Sequence, residues 1–134
     1  MKIPSIQTDF WEIQMPSLND SDAKLVADRK KLKRGDAVKL TFLLEPNAQH
    51  KAMIPLFMEF MWVVITEELP EDLFIGVLFS SPGYVTHYLT DYVQKGAEVP
   101  FHRDHTVVVQ FAPSPEEAEA FIASHPVASV WPRN

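Results

Sequence analysis

The sequence predicts a single α+β domain in which two or three helices pack on an antiparallel curved sheet or small barrel of four to six strands. Three observations predict this class: several short segments have strand-like patterning, fewer segments have helical patterning, and a run of strand segments lies between a first helix and a terminal one. A chain of 134 residues, 46% hydrophobic and 22% charged, suffices for one core. We expect residues 1–16 to be a lead-in strand or arm, 17–111 the core, and 112–134 a helix and tail.

The predicted strands differ in how many of their faces are apolar. Ala37–Leu44 alternates, with apolar side chains on one face and polar ones on the other, as in a half-buried strand. Residues 57–66 and 73–79 are apolar on both faces, which predicts central strands covered on both sides. The polar residues 67–72 would join these two as a hairpin. Shorter predicted strands lie at residues 10–15, 98–101 and 107–111.

Capping residues and apolar spacing predict three helices. The first covers residues 19–33, with an Asn or Ser N-cap and Gly35 after its end. The second covers residues 85–94. The third begins at Ser114-Pro115-Glu116-Glu117, which combines a capping box with proline at the first helical position, and it ends at Pro126.

Four segments of the chain, taken in order, resemble a known family. They are Gly-Asp-Ala-Val-Lys-Leu-Thr-Phe at 35–42, Glu-Phe-Met-Trp-Val at 59–63, Gly-Val-Leu at 76–78, and Gly-Ala-Glu-Val-Pro-Phe at 96–101 with His105 after it. Over roughly residues 33–111 the chain resembles a YegJ-like bacterial domain family of unknown function. The resemblance implies a small bacterial sheet domain and supplies no catalytic residues, since the family has no agreed activity. A longer connection at 47–55, an extra segment at 83–94 and the terminal helix depart from the family pattern.

The charge distribution favours some partners over others. From residue 40 to the end the chain has four basic and twelve acidic residues, whereas residues 29–34, Arg-Lys-Lys-Leu-Lys-Arg, are its one basic concentration. An acidic surface repels nucleic acid and anionic membranes and attracts basic proteins. We interpret the basic run as the carboxyl end of the first helix, where cations complement the helix dipole. A basic protein partner is therefore expected, with no nucleic acid and no membrane.

No motif in the chain indicates catalysis or a resident cofactor. Cysteine is absent, which excludes a thiolate metal site, and no stretch approaches the roughly 18 apolar residues of a membrane span, so the cytoplasm is the expected location. His102 and His105 could provide two metal ligands, with Asp104 or Glu98 as a third. No His-Glu-x-x-His pattern accompanies them, and the alternative is that they are turn residues. Because no Gly-x-Ser-x-Gly elbow occurs either, we expect no enzyme and no cofactor.

The predicted hairpin is the first candidate site. Carboxylates on a rigid turn can pair with Arg or Lys of another protein, and the alternative is that they are simply solvated. The four carboxylates are those of Glu67, Glu68, Glu71 and Asp72. Small size, acidity and the lack of catalytic motifs suggest an immunity protein that neutralises a bacterial toxin by occluding its active or substrate-binding surface.

A row of tyrosines is the second candidate site. Tyr84, Tyr88 and Tyr92 recur every four residues, which on a helix forms one aromatic stripe. Tyr88 and Tyr92 could bind the partner, or the stripe could pack on the sheet. The competing hypothesis is a small-ligand or regulatory module with a pocket between the sheet and this helix, lined by Trp62 and tyrosines. The identity of the partner or ligand, the oligomeric state and the packing of the lead-in arm remain open at this level.

Overall fold

The computed structural model describes residues 1–45, 57–80 and 92–133, and within them six strands form one antiparallel sheet. The strands are β1 (Trp11–Ile13), β2 (Ala37–Leu44), β3 (Phe57–Leu69), β4 (Leu73–Leu78), β5 (Glu98–His102) and β6 (Val108–Gln110). The α-helices of these ranges are α1 (Ala23–Arg29) and α2 (Pro115–Ala123). The sheet is nearly closed, so the predicted α+β class with a small barrel-like sheet is confirmed.

The strand order follows the chain, β1-β2-β3-β4-β5, with β6 beside the same edge of β2 as β1. β1 pairs with residues 42–44 and β6 with residues 37–39, so the two short strands share that edge. At the opposite edge of the sheet, Ser129 forms a parallel bridge with Ala97, the residue that precedes β5. The C-terminal segment therefore lies beside the last strand, and its Trp131 ring reaches Trp11 of the first strand.

The core lies on the inward face of the sheet and is closed at one end by aromatic rings. Four alternate residues of β2 are fully buried, as their period of two predicts: Val38, Leu40, Phe42 and Leu44. Trp11 is 1% exposed, and its ring packs 5.5 Å from Trp131 and 5.7 Å from Tyr92, centroid to centroid. We call Trp11, Phe42, Tyr92 and Trp131 the aromatic cluster. The lead-in strand thus packs on its own domain.

The first helix is shorter than the prediction of residues 19–33. A short 3-10 turn precedes α1, which covers only Ala23–Arg29. The chain then turns because Leu32 enters the core, where it is 4% exposed. Gly35 follows with a φ of +95°, and a Cβ there would lie 2.2 Å from the Cβ of Ala118. Glycine is therefore required both for the left-handed turn and for the close approach of α2.

The outer face of β3 is only partly covered. Val64 is fully buried near the end where α2 packs, whereas Met58 is 51% and Phe60 56% exposed near the start of the strand. The prediction that both faces are covered is therefore wrong for the first half of β3. A nine-residue helix such as α2 is only about 13 Å long, too short to cover a strand of about 43 Å.

The other two predicted helices have different outcomes. Residues 85–91 of the second lie outside the described residues, and its predicted end is wrong because residues 92–94 are bends rather than helix. The third is confirmed as α2, where the Ser114 hydroxyl accepts a hydrogen bond from the Glu117 N–H and Pro115 is the first helical residue.

Candidate functional site

The acidic hairpin has a shorter loop than the sequence predicts. β3 continues through Leu69, so Glu67 and Glu68 lie on the strand and the loop is reduced to residues 70–72. The prediction of a six-residue loop is wrong because pairing with β4 resumes after a register shift between Ile65 and Glu67. Such a shift is typical of a β-bulge, which lets a strand continue past an irregular position.

Two of the four hairpin carboxylates are paired within the protein. Glu67 accepts a hydrogen bond from Arg133 at 2.8 Å, and Asp72 accepts one from Arg103 at 3.2 Å. Within the described ranges, no cation pairs with the other two, Glu68 and Glu71, which are exposed. The hairpin therefore has two carboxylates, rather than four, without a paired cation in the described part of the chain.

Arg133 also holds a buried carboxylate. Glu98 is 6% exposed and accepts hydrogen bonds from both terminal nitrogens of Arg133, at 2.6 and 3.0 Å, and from the Trp131 N–H at 3.0 Å. The hydrogen-bonded guanidinium lowers the pKa of Glu98 in spite of its burial, and the same bonds raise the pKa of Arg133. This cluster fixes the C-terminal segment against β5.

The tyrosine stripe is described only at Tyr92. Its ring belongs to the aromatic cluster, and its hydroxyl donates a hydrogen bond of 2.7 Å to the Glu98 carbonyl. Burial raises the pKa of Tyr92 to about 12. Tyr92 thus agrees with the alternative in which the stripe packs on its own domain, while Tyr84 and Tyr88 lie outside the described residues.

His102 and His105 stabilise a 3-10 turn, Arg103–His105. The Nδ1 atom of His105 accepts a hydrogen bond of 2.8 Å from the His102 N–H, and the Nδ1 atom of His102 accepts one of 3.1 Å from the Asp104 N–H. Burial, and secondarily the neighbouring His102, lowers the pKa of His105 to about 4. In the part of the chain that the structure describes, no group of three or more potential ligands is arranged to hold a metal ion.

Three of the five cations in the basic run at residues 29–34 make contacts within the protein. Arg29 is 4% exposed, and its Nε and Nη2 atoms donate to the carbonyl of Thr106 at 3.0 and 2.6 Å. Two further cations of the run form ion pairs, Lys33 with Asp36 and Arg34 with Glu119. Arg29 lies in the last turn of α1 and Lys30 is its C-cap, so the run begins at the carboxyl end of a helix as interpreted, whereas Lys33 and Arg34 lie beyond that end.

An apolar groove lies between α2 and the outer face of the sheet. Its volume is about 510 Å³, which is within the range of ligand-binding pockets. Among the described residues, four aromatic side chains line it: Trp62, Phe79, Phe111 and Phe121. The Gln110 amide and the Glu117 carboxylate are its polar groups of note. We call this site the α2 groove.

Strand register and the cap of α2 position the rings of this groove. Trp62 faces outward opposite Lys39 of β2, whose ammonium lies 5.3 Å from the indole centroid. The backbone N–H of Trp62 donates a hydrogen bond of 2.7 Å to the Ser80 hydroxyl, which holds the segment after β4 beside β3. On α2, Phe121 packs edge-on against Phe79 with 5.1 Å between centroids.

The α2 groove continues into an exposed apolar row along β3. Alternate residues of a strand face the same side, so Trp62, Phe60 and Met58 lie in line over about 13 Å of the outer face. Phe60 and Met58 are both more than half exposed. We call the groove together with these two side chains the outer apolar surface.

The sequence predicts a pocket that contains Trp62 and pairs it with the second predicted helix, and that pairing stays a prediction. The groove that Trp62 lines is formed with α2, and the predicted second helix lies mostly outside the described residues. The position of Phe121 could have been predicted from the sequence, since its helical spacing with Ala118 puts both on the face of α2 that packs on the sheet.

Comparisons with protein-family models, with curated proteins and with solved structures find no match for this chain. The YegJ-like resemblance therefore stays a prediction. No helix within the three described ranges has both the length and the apolar character needed to cross a membrane.

Proposed function

We propose that this chain is a binding protein of the immunity type, which neutralises a basic bacterial toxin in the cytoplasm by occluding its active or substrate-binding surface. The observation that supports the proposal most is the outer apolar surface. Contiguous exposed apolar side chains are typical of surfaces that bind another protein. A net charge of −6 favours a basic partner.

The free carboxylates of the hairpin are a second, separate contact surface in this proposal. Glu68 is ten residues from Met58 along β3, which corresponds to at most about 33 Å. A standard interface covers about 800 Å² of each partner, or about 28 Å across. An interface centred on the outer apolar surface therefore leaves the hairpin at its rim or beyond it, so the two surfaces are separable by mutation.

The proposed mechanism needs binding alone and no chemical step. Apolar side chains at the centre of an interface provide affinity when they are removed from water. Carboxylates at the rim attract a basic partner and raise the association rate. The toxin is inhibited because the bound protein blocks access to its substrate.

A pull-down from the lysate of the native host, with a salt wash and mass spectrometry, would provide the partner for the test. The expected partner is stoichiometric, basic and toxic when expressed alone, and co-expression of this protein should restore growth. Phe60→Ser should weaken binding at least about tenfold, whereas Val130→Ser, at a residue 70% exposed on the C-terminal segment, should change it less than about twofold. A toxin that binds both variants equally, or the absence of any such partner, would contradict the proposal.

A small-ligand or regulatory module is the second candidate function, and the volume of the α2 groove favours it. A ligand that binds only the folded state raises the melting temperature with its concentration. A thermal-shift screen of metabolites should then reveal a compound whose effect Ala112→Trp, which fills the groove, abolishes.

A further inference from the structure

The walls of the α2 groove favour an apolar group as its occupant. Phe79 and Phe121 pack against each other on one side, and Trp62 and Phe111 complete the lining. Aromatic walls of this kind gain most from an apolar side chain that displaces water from them. The occupant therefore places an apolar group between these rings.

The rim formed by α2 carries unpaired negative charge. Glu117 lines the groove, and among the described residues no cation pairs with it or with its neighbour Glu116. Glu119 differs, because Arg34 binds its carboxylate with two hydrogen bonds of 2.8 Å. A basic group on the occupant is thus favoured at the α2 rim.

Two lysines beside the groove carry positive charge, which gives the occupant a direction. Lys39 lies over Trp62, and Lys33, which also pairs with Asp36 at 3.1 Å, lies 5.5 Å from the centroid of Phe111. Both ammonium groups repel a cation on that side. The basic group of the occupant therefore lies next to Glu117 rather than over β2.

The length of the outer apolar surface distinguishes a chain segment from a small molecule. A compact ligand in the groove leaves Phe60 and Met58 uncovered, whereas an extended segment advances about 3.3 Å per residue and covers the row of about 13 Å with four residues. An occupant that covers the whole surface is therefore a polypeptide.

From these observations we infer that the α2 groove binds an extended segment of a protein partner, which inserts an apolar side chain between the aromatic walls and places a Lys or Arg beside Glu117. The inference rests on the proposed function and names the contact chemistry of the partner. It locates the centre of the interface in the groove and its continuation on Phe60 and Met58.

Random twelve-residue peptides displayed on phage test this inference without the native partner. Peptides selected on the wild-type protein would be synthesised with a fluorescent label, and their affinities measured by anisotropy. Two substitutions alter the site, Ala112→Trp in the groove and Glu117→Lys at its rim. Each has a matched control on α2, at exposed positions that do not line the groove: Ala120→Trp and Glu116→Lys.

The expected peptides share an apolar residue with a Lys or Arg within about two positions. Their affinity should fall at least about tenfold with Ala112→Trp and about three- to tenfold with Glu117→Lys, with less than a twofold change in either control. Circular dichroism should show that all four variants remain folded. No enrichment above a blank surface, an acidic motif, or equal binding to Ala112→Trp would overturn the inference. A toxin that is bound and neutralised equally by Ala112→Trp would overturn this inference alone and leave the proposed function intact.

Discussion

Acidification should destabilise this protein through His105. Burial lowers its pKa from 6.5 to about 4, so the folded state favours the neutral ring, while the unfolded chain takes up a proton near pH 6.5. Between these values the unfolded state binds more protons, so the stabilising effect is fully present above pH 6.5 and is lost as the pH falls towards 4. The difference between the two pKa values corresponds to about 3 kcal/mol in the free energy of unfolding.

Urea unfolding followed by tryptophan fluorescence, between pH 7.5 and pH 4, measures this loss, and an NMR titration of the imidazole measures the pKa. His105→Asn is the matched variant, since its side-chain oxygen can accept the His102 N–H but does not titrate. The pH dependence between 6.5 and 4.5 should therefore disappear in it. Glu98 does not interfere in this range, because its lowered pKa affects stability only below the unfolded value of about 4.5. A measured pKa of His105 near 6.5, or an unchanged slope in the variant, would refute the reasoning.

Three further substitutions test the packing. Gly35→Ala should lower the free energy of unfolding by about 2–4 kcal/mol, because an alanine is strained at this φ and meets Ala118, and a loss below about 1 kcal/mol in urea unfolding would contradict this. Arg133→Ala should cost about 1–3 kcal/mol at pH 7, a value reduced because its side chain is 37% exposed, and the cost should shrink as the pH falls below the unfolded Glu98 pKa of about 4.5. Trp131→Ala should cost about 3–5 kcal/mol by opening the aromatic cluster, and unchanged near-ultraviolet circular dichroism would argue against it.

The elements that the sequence predicts well are those whose signals are local. β2 alternates from Val38 to Phe42 and α2 has a serine cap followed by proline, so each pattern specifies its own element. The position at which α1 ends is not determined by a local signal. It depends on Leu32 reaching the core and on the contact of Gly35 with Ala118, more than 80 positions away in the sequence.

The candidate sites depend on contacts that no single segment encodes. Nothing near the hairpin in the sequence indicates that Arg133 and Arg103 neutralise two of its carboxylates. The rings of the α2 groove likewise come from four separate segments, and register and helix placement bring them together. The composition predicts an acidic protein correctly, but only the tertiary structure determines which of its charges are free.

The two proposed contact surfaces should affect different rate constants of binding. Exposed ion pairs contribute only about 0.2–1 kcal/mol and are screened by salt, so Glu68 and Glu71 act mainly on association. Burial of Phe60 removes a large apolar side chain from water and should slow dissociation. In surface plasmon resonance with the toxin, Glu68→Lys combined with Glu71→Lys should therefore lower the association rate and weaken its salt dependence, while Phe60→Ser should raise the dissociation rate at all salt concentrations. If the two hairpin substitutions raised the dissociation rate instead, the centre of the interface would lie on the acidic loop, because only a desolvated charge pair has that effect.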